Sequence, residues 1–326
     1  MKRNQKIIIY LSFVSLVTIF LGISLGSAEI NMNDLWETIF SKNNGKYTGI
    51  IFELRVPRVL TAFAVGGLLA ISGVLMQVLL RNPLAEPYIL GSSGGAAVAA
   101  LLAMSFGFGS FLIDASAFSG SLIATLLVFT IASGSGNWDP TRLLLTGVVL
   151  ASGFSAITTL ILALSSEQTV RGMLFWMMGD LSFAYYPMHL IYLLLVITFI
   201  TSFLSRYFDI LSRGEVQASI LGIEVKFFRM MIFIITAVAT SLSVTAVGVI
   251  GFVGLVVPHS VRLIVGSKHR YVFPASALAG GILLVIADTL ARTILAPRQL
   301  PVGALTALIG VPLFIILMKK SLAKKR

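Results

Sequence analysis

Residues 57–80 read PRVLTAFAVGGLLAISGVLMQVLL, an apolar run in which Arg58 is the only charged residue. A helix needs about 20 such residues to cross a hydrocarbon core roughly 30 Å thick. Comparable runs recur along the chain, and we predict spans at 7–25, 57–80, 88–106, 111–132, 142–164, 187–204, 230–248, 249–266, 272–295 and 302–318. The sequence therefore predicts an all-α, polytopic membrane protein of about ten transmembrane helices, forming one domain over residues 1–326.

The composition agrees with this class. Hydrophobic residues make up 57% of the chain, charged residues only 11%, and the mean hydropathy is +0.97. A soluble globular domain carries about 25% charged residues. With no cysteine, the chain offers neither disulfides nor thiolate metal ligands.

The basic residues are unevenly distributed between the predicted loops. Of the 24 Lys and Arg residues, 17 lie at the termini or in alternate loops, such as those with Arg81, Arg142 and Arg213. We therefore predict a multi-pass protein of the bacterial cytoplasmic (inner) membrane. The positive-inside rule places these loops and both termini in the cytoplasm. The net charge of +11 then reflects topology rather than nucleic-acid binding. We interpret 7–25 as the first span rather than as a cleaved signal peptide, because it reaches spanning length.

The inner loop at 206–229 is longer than a connection requires. Ser212 precedes Glu215 by three residues, the spacing of a capping box, and Gly222 is a suitable helix stop. We predict a short helix of about two turns over this stretch, including Ala218, and a second short helix that begins near Val225. Such a cytoplasmic segment would contact a partner.

Catalytic and metal-binding motifs are absent or weak. The chain has no G-x-x-x-x-G-K-[ST] motif, so any ATP must be hydrolysed by another subunit, and it has no H-E-x-x-H motif. The stretch GSSGG at 91–95 fits a serine-nucleophile pattern with His259 as a base, but small residues also serve close helix packing in lipid. We favour packing, and expect no catalytic residue, bound metal or cofactor in this chain.

Asp288 is the one acidic residue inside a long predicted span. Intramembrane charges are functional hypotheses by default, and Asp288 could relay protons in a secondary transporter. Arg292 lies four residues further on, on the same helical face. We favour a structural ion pair. His259 follows Pro258, and we expect it to be a packing group near a helix break formed by Gly251, Gly254 and Pro258.

Several dispersed stretches, in order from about residue 50 to the C-terminus, resemble the FecCD-type permeases of ATP-binding-cassette (ABC) importers. These stretches are RVPR at 55–58, GVLMQ at 73–77, RNPLAEP at 81–87, LG at 90–91, FWMMG at 175–179, 248–262, ADTLAR at 287–292, LPVG at 300–303 and GVP at 310–312. Their number and order make the resemblance more specific than any single motif.

The resemblance implies a type II ABC importer permease fold and a homodimer of ten-helix subunits. It also implies two ATP-binding subunits below and a periplasmic or lipid-anchored substrate-binding protein above. In such permeases, short helices at the position of Ser212, Glu215, Ala218 and Gly222 transmit ATPase motion. The chain itself would then be no enzyme, since its partner subunit uses the ATP.

The same resemblance assigns two further groups of residues. Asn82 and Leu84 with Pro140 and Thr141 are similar in position to a cytoplasmic gate, although Pro140 replaces a small polar residue. Arg55, Arg58 and Arg292 match arginines that receive glutamates of the binding protein, and a guanidinium can hold a carboxylate bidentately. Before Leu300 the family usually carries an acid, whereas this chain has Arg298 and Gln299.

The function that the resemblance implies is import of an iron chelate, either a siderophore complex or haem, without chemistry on the substrate. Cobalamin import is the alternative within the family. A proton-coupled secondary transporter is the alternative from another class, with Asp288 as its strongest indication.

Overall fold

The computed structural model describes residues 3–28, 30–40, 47–133, 139–182 and 187–323, and every regular element in these ranges is helical. A π-helical stretch, Gly49–Arg55, leads into α3, and a 3-10 turn, Pro87–Leu90, precedes α4. The α-helices are α1 (Arg3–Ser24), α2 (Met32–Phe40), α3 (Val56–Leu79), α4 (Ser92–Ser105), α5 (Ser110–Ser133), α6 (Pro140–Leu164), α7 (Glu167–Met177), α8 (Met188–Phe203), α9 (Ser205–Leu211), α10 (Glu215–Ile220), α11 (Val225–Val247), α12 (Val253–Val265), α13 (His269–Thr293) and α14 (Val302–Ala323).

Six helices of the described ranges are long and apolar enough to cross a membrane: α1, α3 with its π-helical start, α5, α6, α11 and α13. The pair α8 and α9, bent by 63°, counts as a seventh if it forms one span. Three shorter apolar helices are α4, α12 and the part of α14 up to Ile316. Each predicted apolar run coincides with one of these helices, which confirms the all-helical, multi-pass prediction. The number of ten crossings stays a prediction.

Helix α3 forms the centre of the molecule, and glycines bring its neighbours close. Nearly nine tenths of its most apolar stretch is buried inside the protein. A Cβ atom on Gly66 would overlap the backbone of Gly280 on α13, and one on Gly73 would overlap the backbone of Gly254 on α12. Apolar side chains gain nothing from leaving lipid, so membrane helices associate through such close backbone contacts.

The break in the predicted eighth span lies earlier than expected. Pro258 lies inside α12 without ending it, and the non-helical segment is 248–252, where Gly248 and Phe252 have φ of 72° and 70°. The Phe252 N–H donates to the Glu86 carboxylate at 2.9 Å. Burial raises the pKa of Glu86 overall, although this hydrogen bond opposes the shift. Of the three residues predicted to form the break, Gly251 lies in it, whereas Gly254 and Pro258 lie inside α12, so the prediction was wrong for those two. The Glu86 carboxylate satisfies one of the backbone N–H groups at the start of α12.

Other helix boundaries also differ from the predicted runs. The chain is already helical from Gly49, before the predicted start of the second span at 57. The third predicted span is interrupted at Gly91, whose φ is 74°, so its first turn is a separate 3-10 helix. Apolar composition predicts where a helix lies, but it does not predict where the backbone turns.

We expect Gly73→Ala to destabilise the protein. The added methyl group must push α12 away from α3, and overpacking of this kind costs about 1–3 kcal/mol. The measurement is the thermal unfolding temperature and the monodisperse fraction in detergent. Gly172→Ala is the control, because beyond the adjacent backbone of α7 no atom lies within 4 Å of that Cβ position. An equal loss in both variants would contradict the role of Gly73 in packing.

Candidate functional site

A buried charge cluster lies where α3 and α13 meet, with Asp288 at its centre. The Asp288 side chain is 0% exposed. Its Oδ2 accepts from the Nε of Arg292 at 3.0 Å, which confirms the predicted i,i+4 pair. Its Oδ1 accepts from the Nε of Arg58 at 2.8 Å, a partner that sequence spacing did not predict. One carboxylate thus joins two helices through two charge-assisted hydrogen bonds.

Two arginines of this cluster also hold the end of α1. Arg55 donates to the carbonyl oxygens of Ile23 at 3.0 Å and Ser24 at 2.7 Å. Arg292 donates to those of Gly22 at 3.0 Å and Leu25 at 3.2 Å. The last carbonyls of a helix have no partner within the helix and carry partial negative charge. The guanidinium groups supply the missing donors and fix α1 against α3 and α13.

The remaining side of the cluster contains Gln299. This residue directly precedes Leu300, where the resemblance to FecCD-type permeases leads us to expect an acid. The Arg58 Nη1 donates to the Gln299 Oε1 at 3.0 Å and to the Ser182 Oγ at 3.3 Å. Because Gln299 is a neutral amide, Asp288 supplies the carboxylate that faces the guanidinium groups of Arg58 and Arg292.

The three arginines predicted to dock the binding protein therefore lie together, but they point inwards. Arg55, Arg58 and Arg292 are only 5%, 8% and 5% exposed. Their hydrogen bonds go to other parts of the same chain. The docking role stays a prediction, and the structure adds a structural role for the same groups.

The predicted coupling segment contains two short helices, α9 and α10, joined at Gly214. The predicted capping box was wrong: the N-cap of α10 is Gly214, with φ 130°, and no side chain caps the helix. The Ser212 Oγ instead donates to the carbonyl of Asp209 at 2.9 Å, in the preceding helix. The second predicted short helix is the beginning of the long helix α11, which does begin at Val225.

Gly222 ends α10 as predicted. Its φ is 77°, its N–H donates to the Ser219 carbonyl, and the Ile223 N–H donates to the Ala218 carbonyl, both at 3.0 Å. This pair of hydrogen bonds is a Schellman motif, which needs a left-handed residue at the glycine position. Ala218 is 0% exposed, so one face of α10 packs against the protein.

An apolar patch that the sequence analysis missed lies on the exposed surface of α10 and its C-cap residue, Leu221. Val216, Ile220 and Leu221 are 75%, 79% and 65% exposed. Large apolar side chains that cluster on an exposed surface mark an interaction site. The apolar residues at 216, 220 and 221, within a predicted cytoplasmic segment, were the available sequence signal.

Asp209 on α9 anchors the segment to α13. Its Oδ1 accepts from the backbone N–H of His269 at 2.9 Å and lies 2.7 Å from the His269 Nδ1. Burial alone would raise the pKa of Asp209, but the hydrogen bonds from His269 and the charges of His269 and Arg213 lower it overall. This contribution to stability is present above the unfolded pKa of about 4 and is lost as the pH falls through the folded value.

The predicted gate residues lie at the ends of two segments. The Asn82 Oδ1 accepts from the Leu84 N–H at 2.9 Å, and the Leu84 side chain is 45% exposed. Pro140 and Thr141 begin α6, where the Asp139 Oδ1 accepts from the Thr141 N–H at 2.9 Å. Pro140 suits this first position because a helix does not need its N–H. The gating role itself stays a prediction.

The GSSGG stretch serves packing at the start of α4. A Cβ atom on Gly95 would overlap the backbone of Gly120 on α5, as in the other glycine crossings. His259, the imagined base, lies on α12, one turn before Arg262, whose guanidinium donates to the Gln77 Oε1.

A sequence model of the FecCD transport family matches residues 14–320, nearly the whole chain. The chain belongs to this family. This confirms the resemblance drawn from the motifs between residues 55 and 312. A hemin transport system permease, HmuU from Yersinia pestis, is 37% identical over 319 residues, covering 94% of each chain. A vitamin B12 import system permease, BtuC from Citrobacter koseri, is 36% identical over 324 residues, covering 98% of this chain and 96% of that one.

Among solved structures, a metal-chelate type ABC transporter in an inward-facing conformation superposes with a TM-score of 0.87. The two chains are 30% identical, and the match covers 97% of this chain and 99% of the other. The permease fold predicted from the resemblance is therefore confirmed.

We expect Asp288→Asn to destabilise the protein strongly. The substitution leaves Arg58 and Arg292 buried without a counter-charge, and breaking a buried pair costs about 3–5 kcal/mol. A lower unfolding temperature and a smaller folded fraction in detergent would show this. Glu167→Gln, at an exposed position in the first turn of α7, is the control. An Asp288→Asn protein as stable as the parent would show that the cluster does not hold α3 and α13 together.

Proposed function

We propose that this chain is the permease subunit of an ABC importer that carries an iron chelate, a siderophore complex or haem, into the cytoplasm. The observation that carries this proposal is the match to a metal-chelate type transporter over 97% of the chain at a TM-score of 0.87. The 37% identity to a hemin permease supports the same class. Vitamin B12 is the second candidate, because the B12 permeases are nearly as similar.

The proposed mechanism is translocation without chemistry on the substrate, in a homodimer. ATP hydrolysis in two partner subunits would move α10, whose exposed Val216, Ile220 and Leu221 form the contact. Alternating access between the two copies then passes the substrate inwards. With the positive-inside topology, both termini and α10 face the cytoplasm, although residues 1–2 and 324–326 lie outside the described residues.

The surplus positive charge around Asp288 supports the docking of an acidic binding protein at the outer face. Arg55, Arg58 and Arg292 would offer it guanidinium groups that need no protonation change. A carboxylate from that partner would take the place that Gln299 now occupies beside Arg58.

A proton-coupled mechanism fits the structure less well. Asp288 would have to release and rebind a proton during transport. Both its oxygens already accept hydrogen bonds from arginines, and protonation would leave Arg58 and Arg292 buried without a counter-charge.

Uptake into proteoliposomes tests the proposed function. Vesicles containing the permease, its ATPase subunit and its binding protein should accumulate a radiolabelled ferric siderophore or haem when ATP is supplied. Cyanocobalamin, offered in parallel, distinguishes the second candidate. Accumulation that persists without nucleotide and collapses with a protonophore would overturn the proposal in favour of the secondary transporter.

The contact with the ATPase is tested by Ile220→Glu. A carboxylate placed in an apolar interface should weaken association of the ATPase subunit by about 30-fold or more, the equivalent of a hot-spot loss of about 2 kcal/mol. Co-purification and ATPase binding in nanodiscs are the measurements. Leu164→Glu is the control. Leu164 is 88% exposed, but it is the last residue of α6, across the predicted membrane from the cytoplasmic loop that contains Arg142. If both variants retained the ATPase subunit equally, α10 would not form part of the interface with that subunit.

A further inference from the structure

An apolar groove runs between α1, α12, α13 and α14 and has no part in the proposed transport mechanism. Its volume is about 360 Å³, and its walls include Ile7, Leu11, Val257, Ser260, Ala279 and Leu313. Binding sites for small molecules range from about 300 to 1,000 Å³. The one polar group among these six side chains, the Ser260 hydroxyl, donates to the Val256 carbonyl of its own helix at 2.8 Å. The groove therefore suits hydrocarbon rather than a polar solute.

A basic mouth opens at one end of this groove. A second, shallower cavity of about 590 Å³ is bordered by Arg3, Lys6, Ile7 and Tyr10, and it shares Ile7 and Tyr10 with the groove. The two cavities are therefore adjacent. Cationic side chains border the cavity at the start of α1, and apolar side chains form most of the walls of the adjacent groove.

The start of α1 is positioned to keep this mouth in place. The Arg3 Nη2 donates to the Ile264 carbonyl at 3.3 Å, and the Asn4 Nδ2 donates to the Val265 carbonyl at 2.8 Å. These contacts join α1 to the last turn of α12. Within the described residues, neither Arg3 nor Lys6 forms an ion pair, and both are exposed.

We propose that this groove binds an anionic glycerophospholipid from the leaflet on the side of the chain termini. The phosphate would lie between Arg3 and Lys6, and an acyl chain would fill the groove. Basic pockets between transmembrane helices on the cytoplasmic side are suited to anionic headgroups. A free anion would leave the apolar walls uncovered, and an extended protein segment would leave its backbone groups unpaired among them.

The lipid would complete the packing of α1. Only 17% of the most apolar stretch of α1 is buried inside the protein. Arginines hold its outer end, whereas the hydrogen bonds of Arg3 and Asn4 hold its inner end. An acyl chain between α1 and α12 would therefore stabilise the half of α1 that has fewer protein contacts.

Lipid retention measured by native mass spectrometry tests this proposal. The permease is purified from nanodiscs that contain equal amounts of dioleoylphosphatidylglycerol and dioleoylphosphatidylcholine. We expect the parent protein to retain the anionic lipid preferentially. Arg3→Gln with Lys6→Gln should weaken that retention by about 30-fold, since each basic residue near the surface contributes about fivefold. Lys6→Gln alone, which removes no protein contact, should show about the fivefold step.

Two further variants separate the groove from a general charge effect. Ser260→Phe fills the groove while Arg3 and Lys6 remain, and it should also abolish preferential retention. Val196→Phe, at a 53% exposed position on α8, and the pair Arg206→Gln with Lys226→Gln, on exposed inner-loop positions, should retain lipid like the parent. Unchanged retention in Lys6→Gln or Ser260→Phe would overturn the proposal, as would an equal loss in the controls.

Discussion

A hydrocarbon core solvates neither charges nor free backbone groups, and the structure depends on how this chain meets that constraint. Asp288 lies fully buried because Arg58 and Arg292 bind both its oxygens. The carbonyls that end α1 accept from arginines rather than from water. At the break before α12, the Ile250 and Phe252 N–H groups donate to Tyr88 and Glu86. Apart from the Asp288–Arg292 pair, which lies within α13, these contacts join segments that are distant in sequence. Satisfying the polar groups therefore helps to determine how the helices are arranged.

Helix α13 connects the two ends of the proposed machinery. Asp209 of the coupling segment binds its first residue, His269, and the cluster around Asp288 lies near its other end. The 25 residues of α13 extend over roughly 37 Å. Between these ends, the Gly66–Gly280 crossing holds α13 against α3. Helix α13 is therefore joined to other elements at both ends and near its middle.

The exposed apolar surfaces of this protein differ in what covers them. In the bilayer, an exposed apolar side chain faces lipid and needs no partner. On α10, outside the spans, exposed Ile220 meets water unless a partner covers it. The groove beside α1 differs from both, because its basic mouth matches an anionic headgroup.

The sequence by itself determined that the apolar runs are helical and approximately where they lie, because a helix satisfies its own backbone groups in lipid. It also determined local features, such as the Asp288–Arg292 pair and the stop at Gly222, since both depend on residues within one helical turn. Only the tertiary structure decided that Arg58 completes the cluster, that Glu86 satisfies the break before α12, and that Gly214 rather than Ser212 begins α10. Arg58 lies 230 residues from Asp288 in sequence, and Glu86 lies 166 residues from Phe252. Such contacts form only when helix packing brings their side chains together, which local spacing does not encode.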